Sequence, residues 1–170
     1  VYENVMNKWD WGNFDKEEMF VDQSYAAEIQ AMKIVMMRTS QDLLAEGKKE
    51  KAGNMAAKFF EGFPHFNFPY DESIVPFLEV LNQVGRNEEA KKHLMILAEE
   101  TRQKFEFYDS LNEEDFESFK SDYGYCIRAV SDQTLEHHGT PTKMSVRLEQ
   151  SPTTHCLICI ENHGTNSSVC

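Results

Sequence analysis

The residues best suited to chemistry lie near the carboxyl terminus, where one histidine and three cysteines occur within fifteen residues. Cys156 and Cys159 form a Cys-x2-Cys pair, and His163 and Cys170 follow it. Thiolates spaced in this way suit the tetrahedral coordination of zinc. His163 and Cys170 are too far apart to form a second knuckle, and no strand–helix pattern marks the cysteine pair as a redox motif. We therefore retain a zinc site on these four residues as an alternative prediction.

Carboxylates and histidines in the rest of the chain do not form a catalytic pattern. Adjacent acids such as Glu99 and Glu100 point in different directions on a helix, so they are not a catalytic pair. The sequence around His65 and His93 does not indicate a general base. The sequence also contains no phosphate-binding loop, dinucleotide-binding glycine pattern or serine nucleophile elbow. We predict that the chain is not an enzyme and needs no cofactor.

The charge of the chain narrows the choice of partners. Its 170 residues carry a formal net charge of −12. Nucleic acids and anionic lipid surfaces attract basic proteins, so neither is predicted as a partner.

No apolar run approaches the length of about 18 residues that spans a membrane, and we expect no direct membrane insertion. The chain starts at Val1 rather than at an initiator methionine, so we expect it to be a piece of a longer protein.

The helices that must position any site are clearest between residues 41 and 64. Gly47 predicts the end of one helix, because glycine adopts a positive φ without a steric clash. After this turn, apolar residues recur at intervals of three and four, which places them on one face of a second helix. These residues are Ala52, Met55, Ala56, Phe59, Phe60 and Phe63. Two helices joined by so short a turn are expected to be antiparallel and to share an apolar seam.

The same spacing returns 38 residues further along the chain. The small and apolar residues after each glycine match: Ala52, Ala56 and Phe59 after Gly47, and Ala90, Leu94 and Leu97 after Gly85. With Pro64 ending the first unit, this pattern resembles the tetratricopeptide repeat (TPR). Arg102 stands where the second unit would have its proline, so we expect that helix to continue. The resemblance implies an all-α fold of antiparallel helix pairs, stacked as a short right-handed α-solenoid with about five main helices. The alternative is an ordinary helical bundle with a glycine in each tight turn.

Three segments are predicted from this pattern. Residues 1–23 form an aromatic amino-terminal arm, which we expect to cover the end of the stack because exposed ends of repeat proteins need caps. A partner-binding aromatic patch is the alternative for this arm. Residues 24–134 form the TPR-like helical domain, with helices at about 24–46, 48–62, 72–84 and 87–110 and a fifth that follows residue 110 and runs to about 134. Residues 135–170 form a tail with strand-like patches at 146–148 and 157–160, and its Leu-Glu-His-His start resembles the remnant of an expression tag.

The sequence also predicts two helix caps and the inward-facing residues of the last helix. Ser73 and Ser110 are the expected amino-terminal caps of the third and fifth predicted helices. In the last helix, the residues expected to face inward recur at helical spacing: Phe116, Phe119, Tyr123, Ile127 and Val130.

A wider resemblance covers residues 1–134. It is carried by residues 4–8 (Asn-Val-Met-Asn-Lys), 11–13 (Trp-Gly-Asn), 21–22 (Val-Asp), 43–52 (Leu-Leu-Ala-Glu-Gly-Lys-Lys-Glu-Lys-Ala), 69–71 (Pro-Tyr-Asp), Gly85 and Ala90. Together they resemble the soluble carboxyl-terminal region of a Bacteroidetes family of large multi-spanning membrane proteins. The membrane part of that family is similar to protein O-mannosyltransferase-type glycosyltransferases. The resemblance implies a periplasmic location beside an attached membrane enzyme, with a cytoplasmic location as the alternative, and it assigns no catalytic residue.

These observations predict a non-catalytic helical-repeat module for protein–protein interaction or scaffolding. Stacked helix pairs leave a groove lined by the first helix of each pair, so polar side chains there are candidates for partner contacts. The candidates are Gln30, Lys33, Arg38, Asn82 and Gln83. The partner would be another protein or the parent membrane domain. The alternative is a purely structural domain that binds no ligand.

Overall fold

The structure, a computed structural model, describes residues 1–131, 144–150 and 156–162, with the backbone alone described for Tyr125 and from Ile127 onward. These residues form six α-helices and two β-strands. The elements are α1 (Tyr2–Lys8), α2 (Ala26–Ala45), α3 (Lys49–Gly62), α4 (Val75–Gln83), α5 (Asn87–Asp109), α6 (Glu113–Ser131), β1 (Met144–Gln150) and β2 (Cys156–Asn162). The predicted all-α class is confirmed for the described chain up to Ser131, and each predicted main helix has a counterpart among α2–α6. The right-handed superhelical path stays a prediction.

The described residues form two compact units. The first consists of Val1–Tyr70 and Pro76–Leu94. The second consists of Asp71–Val75 and the described residues from Met95 onward. The first unit therefore contains the arm and both glycine turns, and the second contains most of α5 and the whole of α6. None of the helices in the described part of the chain is long and apolar enough to cross a membrane.

Both glycine turns in the first unit have the same backbone geometry. Gly47 and Gly85 adopt positive φ angles of 76° and 86°. In each turn, the amide after the glycine donates to the carbonyl five residues earlier: Lys48 N to Leu43 O and Arg86 N to Leu81 O, both at 2.8 Å. This bond satisfies a carbonyl at the end of the helix, so the chain can reverse within a short turn. The predicted helix ends at the two glycines are confirmed.

The core of the first unit is the apolar face of α3. All six residues predicted to lie on this face are buried: Ala52, Met55, Ala56, Phe59, Phe60 and Phe63. The Phe59 ring stacks on Phe77 of α4, with ring centroids 3.8 Å apart and planes inclined by 6°. The Phe60 ring stacks on His93 of α5, with centroids 3.7 Å apart. Since α2 also packs along α3, α3 is the helix that joins the two helix pairs.

Gly53, in the interior of α3, marks a close approach between α3 and the second glycine turn. A Cβ atom at this position would lie 2.9 Å from Val84 Cγ2 and 3.3 Å from Arg86 Cδ. Arg86 Nη1 donates to Gly53 O at 3.0 Å, and Arg86 also pairs with Glu89. Gly53 therefore lets the turn between α4 and α5 lie directly on α3.

The core of the second unit lies between the carboxyl-terminal part of α5 and α6. The prediction that α5 continues past Arg102 is confirmed. Phe105 and Tyr108 of α5 are buried. Tyr123 of α6 packs edge-on against both rings, with centroid distances of 5.4 Å and 5.9 Å. These aromatic contacts hold the last described helix against α5.

One aromatic residue of α6 does not face inward as predicted. Phe119 is 37% exposed, although its ring contacts Tyr108. Its ring also meets that of Phe107, which is 50% exposed, with centroids 5.7 Å apart. The aromatic residues of α6 form a stripe that is wider than the surface of α6 in contact with α5. Phe119 therefore lies at the edge of this contact. Phe107 and Phe119 therefore form an apolar pair at the surface of the second unit.

Two predicted helix caps are wrong. Asp71, rather than Ser73, caps the 3-10 turn before α4, because Asp71 Oδ1 accepts from Ser73 N at 2.9 Å. Asn112, rather than Ser110, caps α6: its Oδ1 accepts from Asp115 N at 3.0 Å and its Nδ2 donates to Asp115 Oδ2 at 2.7 Å. At both places a carboxylate or amide side chain within two residues of the serine lies in position to accept from the first turn.

The predicted strand-like patches of the tail lie in a β-hairpin. β1 and β2 pair antiparallel, with the first residue of β1 opposite the last residue of β2. Cys156 and Cys159 lie in β2, where only the backbone is described, and His163 and Cys170 lie outside the described residues. The alternative zinc site on these four residues therefore stays a prediction.

Candidate binding site

The amino-terminal arm packs against the end of α3. Gly62 has no side chain, and a Cβ atom there would lie 2.8 Å from three atoms of the Trp11 ring. The Trp11 ring also meets the Phe63 ring edge-on, with centroids 5.3 Å apart. Val5 of α1 is buried as well. The arm therefore lies directly on the core of the first unit, with Gly62 as the point of closest approach.

Asn67, in the link between α3 and α4, holds the arm in place. The Asn67 side chain is buried, and its Nδ2 donates to Phe14 O and to Glu17 O, each at 2.7 Å. Its Oδ1 accepts from Met19 N at 2.8 Å. These bonds fix the irregular stretch from Phe14 to Met19. Sequence reasoning missed Asn67, because no periodic pattern relates a loop asparagine to backbone groups 48 to 53 residues away.

The arm, α2 and the end of α3 surround an open pocket of about 260 Å³, which we name the arm pocket. Its apolar lining residues are Trp11, Phe14, Val21, Tyr25, Ile29, Met32, Phe63 and Phe68. The other lining residues are Asp10, Gly12, Glu28 and Gly62. Tyr25 is 55% exposed, so the pocket opens to solvent beside an aromatic ring. The arm pocket thus combines a largely aromatic surface with two carboxylates, and its lining residues include no basic side chain.

The volume of the arm pocket limits what it can bind. A cavity of about 150 Å³ is enough for a molecule of benzene. Pockets for drug-sized ligands have volumes of about 300–1,000 Å³. The arm pocket, at about 260 Å³, lies between these sizes. It therefore fits one large side chain or a small organic molecule.

The five residues predicted to line a partner groove lie outside the lining of the arm pocket: Gln30, Lys33, Arg38, Asn82 and Gln83. Lys33 is half-buried, and its Nζ lies 6.0 Å from the ring centroids of both Phe59 and Phe63. Gln30 and Arg38 are exposed on α2.

Asn82 and Gln83 lie in the last turn of α4, just before the glycine turn that rests on Gly53. Gly53 and Phe59 are six residues apart on α3, which corresponds to about 9 Å of helical rise. Lys33 lies beside Phe59, whereas Asn82 and Gln83 lie beside the glycine turn that rests on Gly53. The two groups are therefore at different positions along the axis of α3. A contact surface shared by these groove residues stays a prediction.

His93 forms a half-buried contact with Tyr70. Tyr70 Oη and His93 Nδ1 lie 3.0 Å apart, and the His93 ring lies face to face with Phe60. Burial, followed by the positive charges of Lys92 and His65, lowers the pKa of His93 from 6.5 to about 4. His93 is therefore neutral at neutral pH and is stacked within the core. This arrangement is typical of a structural histidine.

We expect the low pKa of His93 to make the protein less stable in mild acid. The unfolded chain has a histidine pKa of 6.5 and the folded chain a value of about 4, so the unfolded state binds more protons between these pH values. Stability is therefore complete above about pH 6.5 and decreases as the pH falls towards 4. Allowing for the partial exposure of His93, we expect a loss of about 2 kcal/mol. Urea unfolding across this range measures it, and a His93→Phe variant, which keeps a ring on Phe60, should have a flatter profile. If the free energy of unfolding changes equally with pH in the two proteins, His93 is not the group that causes the loss of stability.

The described chain also contains a free thiol, Cys126 in α6. Burial raises the pKa of Cys126, so this residue is a thiol at neutral pH and a weak nucleophile. Within the described residues, no group of three or more potential ligands is arranged to hold a metal ion. The candidate site that the geometry supports is the arm pocket, whose open apolar surface suits binding.

No protein-family model matches the chain, and no curated protein or solved structure is significantly similar to it. The resemblances noted from the sequence therefore remain expectations.

Proposed function

We propose that the helical part of the chain is a non-catalytic protein-interaction module that takes one side chain of its partner into the arm pocket. The observation that carries this proposal is the pocket itself, which is aromatic, open to solvent and of single-side-chain size. Binding energy at protein interfaces is concentrated in a few anchor residues that fill well-packed pockets. The arm pocket is suited to receive one such anchor.

The contacts that hold the arm favour a binding role over that of a passive cap. Trp11 is seated on Gly62, and Asn67 binds the arm backbone at three points. A pocket that is formed before its partner arrives loses less free energy in ordering loops when it binds. A cap that served stability alone would not require an open cavity between itself and the helices.

We further propose that this module has TPR-like repeat architecture and extends a membrane-embedded glycosyltransferase-like protein on the periplasmic side. Two glycine turns with matching hydrogen bonds, 38 residues apart, support the repeat. The family resemblance of residues 1–134 supports the membrane attachment. The partner is then a protein brought to the membrane enzyme, or the parent membrane domain itself.

A second candidate function is that of a purely structural extension. The exposed pair Phe107 and Phe119 favours it, because an apolar pair at the surface is stabilised when another part of a larger protein covers it. In that case the arm pocket would bind no partner side chain.

Peptide selection on the purified protein separates these candidates. Peptides selected from a random display library should bind the wild-type chain and lose at least about tenfold in affinity for Ile29→Trp, because the larger side chain fills the arm pocket. Val35→Trp is the matched control, since Val35 lies on the same helix, is exposed and is not a lining residue. Calorimetry should give unchanged binding for this control.

Two outcomes would contradict the proposed site. If no peptide is selected, the structural role is favoured. If the selected peptides bind all three proteins equally, the contact surface lies elsewhere, and charge reversal of Lys33 and Arg38 then tests the predicted groove. Loss of peptide binding in Lys33→Glu and Arg38→Glu, with Ile29→Trp unaffected, would assign the interaction to α2.

A further inference from the structure

The charge of the arm pocket is of one sign. Its charged lining residues are Asp10 and Glu28, and both are acidic. Asp10 Oδ1 accepts from Gly12 N at 3.1 Å, which holds the carboxylate at the bend of the arm. Glu28 is exposed in the first turn of α2. Five of the other ten lining residues are aromatic.

We propose that the side chain bound in the arm pocket is cationic, an arginine or lysine within a basic segment of the partner protein. This inference rests on the proposed function. The face of an aromatic ring attracts a cation because its π electrons carry negative charge. A carboxylate at the same place adds a charge-assisted hydrogen bond to a guanidinium or ammonium group. An acidic side chain would be repelled by Asp10 and Glu28, and an apolar one would gain nothing from them.

The size of the pocket agrees with this ligand class. Arginine and lysine have long apolar stems that can lie against aromatic walls while the charged head stays near water and carboxylates. A volume of about 260 Å³ accommodates one such side chain. The net charge of −12 also attracts a basic segment from a distance, and it makes the association sensitive to salt.

The chain already places one cation, the ammonium group of Lys33, near an aromatic ring of the arm pocket. Its Nζ lies 6.0 Å from the centroid of Phe63, which also lines the arm pocket. Lys33 itself is not a lining residue, so it does not occupy the pocket. Because its charge repels a bound cation, a Lys33→Met variant is expected to bind a cationic ligand at least as tightly as the wild-type chain does.

The inference is tested with capped glycine–X–glycine peptides in which X is arginine, lysine, norleucine or phenylalanine. Both tryptophans of the chain, Trp9 and Trp11, lie in the arm, and Trp11 lines the pocket, so intrinsic fluorescence reports binding. We expect the arginine and lysine peptides to bind in the millimolar range, about tenfold more tightly than the norleucine peptide. This preference should decrease as the salt concentration rises.

Isosteric variants assign the preference to the carboxylates. The double variant Asp10→Asn and Glu28→Gln removes both charges and keeps an oxygen that can accept from Gly12 N. It should lose most of the preference for the arginine peptide over the norleucine peptide and keep the smaller part that the aromatic rings supply, and Glu28→Lys should abolish binding of the arginine peptide. Asp42→Asn is the matched control on the exposed surface of α2, outside the pocket, and should keep the full preference. Far-UV circular dichroism checks that every variant is folded.

The outcomes distinguish a failure of the cationic inference from a failure of the proposed function. If the norleucine or phenylalanine peptide binds the wild-type chain as tightly as the arginine peptide, the cationic inference is overturned while the pocket function stands. The same follows if the double variant keeps the full preference of the wild-type chain. If none of the four peptides binds and Ile29→Trp also leaves the selected library peptides unaffected, both the inference and the proposed function are overturned.

Discussion

Replacing Phe59 by alanine is expected to lower the free energy of unfolding by about 4 kcal/mol, because a large core side chain is removed and a cavity is left. Phe59 is 1% exposed. Its ring is stacked on Phe77 and contacts Phe60 and Phe63, with centroids 5.1 Å and 5.5 Å away. The substitution therefore removes the ring of α3 that stacks on α4. Urea unfolding followed by far-UV circular dichroism measures the change.

Phe66→Ala is the matched control for this prediction. Phe66 lies in the link after α3 and is 43% exposed, so its removal should cost less than about 1 kcal/mol. Domains of this size have unfolding free energies of about 5–15 kcal/mol, so Phe59→Ala should leave a marginally folded protein and Phe66→Ala a stable one. If Phe59→Ala lowers the free energy of unfolding by less than about 1 kcal/mol, the contact between α3 and α4 contributes little to the stability of the first unit.

The buried position of Phe59 could be predicted because it depends on local rules. The intervals of three and four residues in α3 define one helical face, and all six residues predicted on that face are buried. Gly47 and Gly85 could be identified as helix ends because glycine is the residue best suited to positive φ. Helix periodicity and turn chemistry thus suffice for the fold class and for the helix positions within a few residues.

The arm pocket could not be predicted because long-range contacts build it. The contact of Trp11 with Gly62 joins positions 51 apart in the sequence, and neither lies in a pattern that specifies the other. A partial signal was present, since glycine inside a helix costs about 1 kcal/mol relative to alanine, and a helical glycine can therefore mark a close approach. Gly53 and Gly62 both have this role, with Arg86 and Trp11 as the neighbours. The sequence does not identify the neighbours, so the site had to come from the structure.

Asn67 binds the backbone of the arm at three points, and Asn67→Asp is expected to release the arm. The amide Nδ2 donates to Phe14 O and Glu17 O, whereas an aspartate carboxylate can only accept. The variant would bring a charged oxygen to within about 3 Å of two carbonyl oxygens in a buried place, and we expect a cost of about 3 kcal/mol. The chain can avoid this cost by undocking the arm while the helices of the first unit stay packed. The expected result is therefore local loss of the arm rather than global unfolding.

Three measurements detect this local change. Tryptophan emission should shift to longer wavelength as Trp11 leaves Gly62, and trypsin should cleave after Lys16 more rapidly. Asn7→Asp, an exposed change whose side chain has one hydrogen bond to Glu3, is the matched control and should behave as the wild-type chain does. Asn67 is not a lining residue of the arm pocket, yet Asn67→Asp should abolish binding of the arginine peptide because the pocket loses its arm wall. If the emission and cleavage rate stay those of the wild-type chain, Asn67 does not hold the arm. If the arm is released but the arginine peptide still binds as before, the peptide binds elsewhere on the helical surface, and the arm is a cap rather than part of a binding site.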